Sequence, residues 1–194
     1  MISVLLDSSN TALSVGIASE NKLIDFVSYE AWQQQSEFII PELNKLLEKN
    51  NYAKNDIEDV IVAIGPGSYT GVRISITIAK VMATALKIPV FTISSLHAQK
   101  DCKNPSICLI NARSNRSYIG VYENEQTIMN DCIMTNDEVR NYISLHPDYS
   151  ICGNTSYLGI DGVRSNILEQ MISIKSNLTK CPDVLGLKPV YMKD

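Results

Sequence analysis

The stretch Gly65-Pro66-Gly67-Ser68-Tyr69-Thr70-Gly71-Val72-Arg73-Ile74-Ser75 constrains this chain more than any other. It follows Asp59-Val60-Ile61-Val62-Ala63-Ile64, a β-branched run with the character of a buried parallel strand, and Pro66 stops that strand at once. The turn must then feed a long apolar helix. Gly65, Gly67 and Gly71 permit backbone angles or close approaches that a side chain would hinder. Ser68 or Thr70 can cap the helix by accepting from its first free N–H groups. Two catalytic readings of the turn fail on residue type. A phosphate loop ends in Gly-Lys-Ser/Thr, whereas Gly71 is followed by Val72 and Arg73. A nucleophile elbow around Ser68 needs glycines where Pro66 and Thr70 stand. What remains is either a helix N-terminus that can hold an anion, through Gly67 and Ser68, or a tight architectural corner.

Composition narrows the classes of function. Seventeen basic residues against 21 acidic ones, spread along 194 residues, argue against binding nucleic acid through a basic face. Cys102, Cys108, Cys132, Cys152 and Cys181 are odd in number, widely spaced and contain no Cys-x-x-Cys pair. They read as reduced structural thiols of a cytoplasmic protein. No basic region precedes the first apolar run, which meets Asp7 almost immediately, so no signal peptide is expected. No apolar run approaches the length of a membrane span.

Taken in order, Ile2–Ser9, Ala12–Ser19 and Lys22–Glu30 read as an antiparallel meander. Ser36 is placed to cap a helix running to about Asn50, with Ile39, Ile40, Leu43, Leu46 and Leu47 on one face and Phe38 projecting away from it. Then come the buried strand, the glycine turn, the second helix and a strand over Pro89–Ser95. The order βββαβαβ is half of an actin-like, sugar-kinase (ribonuclease-H-like) α/β architecture. Ser106–Ala112, Tyr118–Glu123 and Ile128–Met134 read as strands, Asp137–Leu145 as a helix, Ser150–Gly153 as a short strand and Asn166–Ile174 as a helix. The chain is thus expected to hold two βββαβα lobes, residues 1–97 and a reduced second lobe, residues 98–194.

The helix over Val72–Lys87 is apolar on too many sides. At about 100° per residue, Arg73, Thr77, Lys80, Thr84 and Lys87 share one narrow polar stripe, and the apolar arc is roughly twice what packing on one sheet requires. Either the neighbouring helix or another protein must cover the excess. The expected partner surface is Phe38, Val72, Ile76, Ile78, Ala79, Met82 and Ala83.

Candidates for catalysis are few. His97 and His146 are far apart, and His146 before Pro147 is explained by the negative end of a helix dipole. Asp7 ends the first strand, where actin-like ATPases place a metal-associated aspartate; Ser8-Ser9-Asn10 follows it instead of glycine, and the reading is a turn-capping carboxylate. Arg113 and Arg116 flank a turn and read as solvated, with anion contact the lesser alternative.

With these residues laid out, the chain resembles the TsaB (YeaZ) family. Leu5-Leu6-Asp7-Ser8-Ser9, Gly65 to Arg73, Ile93-Ser94-Ser95-Leu96, Ile110-Asn111-Ala112-Arg113 and the closing Pro189-Val190-Tyr191-Met192-Lys193 carry the match. Gln35 departs from it, standing where the family often has histidine. The resemblance implies a non-catalytic subunit of a tRNA threonylcarbamoyladenosine (t6A) system. Such a subunit dimerises with TsaD through first-lobe helices, works with the ATPase TsaE, and forms homodimers when TsaD is absent. No cofactor is expected in the isolated chain; ATP and metal belong to partner subunits, and tRNA is contacted at most indirectly. The alternatives are a nucleotide-dependent kinase-like enzyme or a glycoprotease-type peptidase of the same fold.

Overall fold

The computed structural model describes residues 1–31, 34–101, 105–124 and 126–192; Cys102 and Lys193 lie outside them. The opening meander is present as β1 (Ile2–Asp7), β2 (Ala12–Ser19) and β3 (Lys22–Glu30). Two parallel strands, β4 (Ile57–Ala63) and β5 (Val90–Ile93), extend it on the other side, giving the order β3-β2-β1-β4-β5. Every residue of β1 is buried, because the sheet is covered on both faces. Alternate side chains divide between two cores. Ile2, Val4, Leu6, Val60 and Val62 pack under α1 (Gln35–Lys49) and α2 (Tyr69–Leu86). Leu5, Ile61, Ala63 and Ile93 face the other way.

The first helix starts one residue before the expected cap. Gln34 is its N-cap and makes no side-chain cap bond, Gln35 is buried, and Ser36 is exposed. Ile39, Leu43, Leu46 and Leu47 form the buried face as expected, whereas Ile40 sits on the rim of that arc and is exposed. Phe38 does not project freely: it is half-buried against the first core, with its ring edge-on to Tyr29 at 6.4 Å.

The second sheet contains β6 (Ser106–Arg113), β7 (Arg116–Glu123), β8 (Gln126–Thr135) and β9 (Ser150–Gly153), in the order β8-β7-β6-β9 with β9 parallel to β6. One face is covered by α3 (Asn136–Leu145), whose N-terminus is closed by reciprocal bonds between Thr135 and Glu138.

The last helix corrects the expected lobe division. α4 (Ile167–Ser173) follows the second sheet in the chain but buries Leu168, Met171 and Ile172 against Leu5, Ala18, Ile61, Ala63 and Ile93 of the first. The first sheet has a second apolar face that its own two helices leave open, and α4 is the amphipathic element able to close it. Leu168 packs directly over Gly16 of β2, where a Cβ would lie 2.9 Å from its Cδ1. Lys175, just beyond α4, anchors the return: its ammonium donates to Ser3 Oγ at 2.8 Å and to the buried Asp59 carboxylate at 2.5 Å. The terminal segment stays on the first lobe, with Cys181 N donating to Val90 O at 2.8 Å and Val184 and Leu187 packed on its core. Residues from 167 onward therefore belong to the first lobe, and the second is a βββαβ unit without its final helix. No described helix is long and apolar enough to cross a membrane.

Because α4 closes a core whose strand residues run from Leu5 to Ile93, Leu168→Ala is expected to lower global stability by about 2–5 kcal/mol, read from urea unfolding. A loss within experimental scatter would place α4 outside that core.

Candidate functional site

Ser68 is the N-cap of α2, its Oγ accepting from Gly71 N at 3.2 Å, as the sequence led one to expect. The space the glycines leave is filled by the chain itself. The turn after β1 lies directly on the corner: Ser68 N donates to Ser9 O at 2.6 Å, and Ser8 Oγ donates to Gly71 O at 2.7 Å. A Cβ on Gly67 would come within 2.2 Å of Ser9 O, and one on Gly71 within 1.8 Å of Ser8 O. Two donors of the corner that an anion would use are already engaged by protein oxygens, one of them a backbone carbonyl. Asp7 belongs to the same turn; its Oδ1 accepts from Ser9 N at 3.0 Å. Burial pushes its carboxyl above the ordinary range, against the opposing effect of the Ser9 bonds. The Ser8–Ser9 backbone thus occupies the space beside the corner, and Asp7 is held within the same turn. Among the described residues, no three His, Cys, Asp or Glu side chains gather as a metal-binding group.

The burial of α2 redraws the expected partner surface. Val72, Ile76, Ala79, Met82 and Ala83 are all turned into the first core, so the chain itself covers them. The sheet takes one side of the wide apolar arc, and α1 with the terminal segment takes another. Lys80 of the polar stripe is part of that cover, its Nζ donating to Leu185 O at 2.7 Å. Of the expected set, only Phe38 and Ile78 remain half-buried. What α2 leaves in water lies on its outer side: Tyr69 is 60% exposed and Val81 62%, with Arg73, Ile74 and Thr77 beside them. Ser36, Tyr69, Thr70, Arg73, Ile74, Thr77 and Ile78 line a shallow, mainly apolar groove of about 380 Å³ between α2 and the start of α1. Arg73 leans over Tyr69, its guanidinium carbon 5.2 Å from the ring centroid and Nη1 donating to the hydroxyl at 2.6 Å. Tyr69 and Ile74 were legible as members of the glycine motif, but their exposure was not.

A polar network joins the lobes. Asp131 of β8 accepts from Ser94 Oγ, just past β5, and from the Tyr122 hydroxyl of β7. Burial, then the Asp131 charge, pushes the Tyr122 phenol well above its ordinary range. His97 stacks on Tyr122 with centroids 4.3 Å apart and planes within 3°. Burial, aided by the Lys100 charge, holds its imidazole down to about 4. It is a structural histidine of the junction, and His146 is a helix end, its Nδ1 donating to Tyr142 O at 2.8 Å. Arg116 lines an open cleft of about 550 Å³ with Asp131, Glu138 and Met192, while Arg113 stays exposed in the turn. The four described cysteines are free thiols, and Cys108 faces Cys152 across the β6–β9 pair.

Residues 26–150 match the sequence profile of the family described as TsaD: tRNA N6-adenosine threonylcarbamoyltransferase. The "tRNA threonylcarbamoyladenosine biosynthesis protein TsaB" of Bacillus subtilis (strain 168) is 26% identical over 218 residues, spanning 100% of this chain and 94% of its own length. The protein of that name from Buchnera aphidicola subsp. Schizaphis graminum is 32% identical over 134 residues, covering 66% of this chain and 63% of itself. Among solved structures, "YeaZ from Pseudomonas aeruginosa" has the same fold, with a TM-score of 0.81 at 19% identity over 98% of this chain and 99% of that one.

Two outcomes follow from the corner and the junction. Gly71→Ala forces a methyl group onto the Ser8 carbonyl and is expected to cost on the order of 3 kcal/mol in chemical unfolding, against about 1 kcal/mol for loss of the cap in Ser68→Ala. His97 has a folded pKa below its unfolded value of about 6.5. The unfolded chain therefore binds the extra proton first, and stability is retained above pH 6.5 and lost as pH falls towards 4. His97→Gln is expected to flatten that part of the stability-versus-pH curve.

Proposed function

The chain belongs to the TsaB (YeaZ) family, within the wider family described as TsaD: tRNA N6-adenosine threonylcarbamoyltransferase, and from that membership we propose that it is the non-catalytic partner subunit of a t6A-forming assembly. In this reading it supports threonylcarbamoyl transfer to tRNA by docking TsaD through the outer side of α2 and the start of α1. It reaches TsaE through that complex, meets tRNA at most indirectly, and pairs with a second copy when TsaD is absent. It works in the cytoplasm and holds no cofactor of its own, ATP and metal being supplied by the partner subunits.

The observation that supports this most directly is the groove between α1 and α2. The first core is complete within the chain, yet Tyr69, Ile74, Ile78 and Val81 still present apolar area to water beside an arginine. Covering one large apolar side chain is worth about 1.5–3 kcal/mol, so the patch forgoes several unless another surface meets it. Tyrosine and arginine are also the residue types that carry binding energy at protein interfaces. A second observation agrees: the Ser8–Ser9 backbone is packed against Gly67 and Gly71, in the space that an anion at this corner would need.

Reconstitution of the tRNA modification from purified subunits tests the assignment. Omitting this chain is expected to drop product formation to background, and full activity without it would overturn the required-partner reading. The surface is tested separately by Ile78→Asp. This change is expected to weaken association with TsaD by roughly thirtyfold, as at an interface hot spot, and to remove the complex from gel filtration while the fold survives. Met82→Asp, which puts a charge into the core, is expected instead to destabilise the monomer.

A further inference from the structure

The glycine corner and the closing Pro189-Val190-Tyr191, more than 100 residues apart in sequence, meet in space. Val190 N donates to Ile64 O at 2.8 Å, immediately after β4. Gly65, with φ +104°, lies so close that a Cβ there would be 2.8 Å from Val190 O. The terminal strap is thus held by backbone contacts directly behind the corner, and the next residue must project beside the first turn of α2. That residue is Tyr191. Its ring stacks on Tyr69, with centroids 5.0 Å apart and planes 20° from parallel. Tyr69 in turn accepts from Arg73, and both line the groove.

Tyr69 has little else to hold it. It is 60% exposed, sits on the outer side of α2 and is not part of the buried core. An exposed tyrosine without a fixed neighbour samples several rotamers, and ordering it on binding costs part of the contact energy it supplies. Stacking between an anchored strap and the Arg73 guanidinium removes that cost beforehand.

We infer that Tyr191 is a positioning residue: by stacking on Tyr69 it pre-orders the Tyr69–Arg73 pair at the rim of the α1–α2 groove, and the C-terminal strap is thereby a working part of the partner surface. This rests on the reading of the groove as the surface that docks TsaD. It assigns to the strap a role in recognition that its place outside the groove does not suggest.

The test is calorimetric titration of the full chain with purified TsaD. Tyr191→Ala is expected to weaken binding about threefold to tenfold, the equilibrium equivalent of one aromatic pair, with the melting temperature little changed. Tyr191→Phe, which keeps the ring and loses only the hydroxyl, is expected to bind within about twofold of the parent. In a double-mutant cycle, adding Tyr191→Ala to Tyr69→Ala is expected to cost almost nothing further, since the strap acts through Tyr69. Should Tyr191→Ala melt early, Tyr191→Leu keeps the bulk without the ring and takes its place. Parent-like binding by Tyr191→Ala while Ile78→Asp loses binding overturns the strap's role and leaves the groove reading standing; so does full additivity in the cycle. Parent-like binding by both variants overturns the groove reading and this inference with it.

Discussion

The contact on which the structure depends is backbone against backbone: the Ser8–Ser9 turn resting on Gly67 and Gly71. It joins the end of the first strand to the start of α2 at distances that no side chain would permit. The bonds from Ser68 N to Ser9 O and from Ser8 Oγ to Gly71 O make the approach favourable as well as sterically allowed. Since β1 is the centre of the first sheet and α2 its main cover, this one contact sets where the helix lies on the sheet. It also fills the space beside the helix N-terminus and engages one of its donors, Ser68 N.

The first sheet imposes the second constraint. Alternation along β1 and, from Val60 onward, β4 produces two apolar faces, and the two helices that follow in sequence cover one of them. The chain closes the other by returning α4 from beyond the second lobe and fastening it with Lys175, whose ammonium is compensated by Asp59 and Ser3. The partners of this half-buried cation lie in β4 and β1, and their position specifies where the return must end. The reduced second lobe is a consequence, because the helix that follows its last strand has been given to the first.

The outer side of α2 is what remains after both cores are satisfied. An over-wide apolar arc can be covered from within or from outside, and here the answer is divided by position: Val72, Ile76, Ala79, Met82 and Ala83 inside, Tyr69, Ile74, Ile78 and Val81 at or near the surface. The terminal segment accounts for the division. It crosses the helix at Lys80, passes behind the glycine corner at Val190 and ends its stack on Tyr69, covering one flank and leaving the other open.

Much of this was legible in the residues alone. The meander, the strand–turn–helix unit, the capping role of Ser68, the turn-capping role of Asp7 and the second-lobe strands follow from short-range physics: alternation, capping chemistry and turn residues act over a few positions. The burial of individual residues on α2 did not follow. A helical wheel states which side chains share a face, but the cover on that face comes from α1, and from a terminal segment about 100 residues away whose own pattern is weak. For the same reason the sequence division at residue 97 failed for α4, since amphipathicity says that a helix needs an apolar surface without saying which sheet provides it. Local periodicity therefore determined the elements and the glycine corner, while only the tertiary structure decided which apolar faces were already taken, because burial depends on contacts between segments that the order of residues does not bring together.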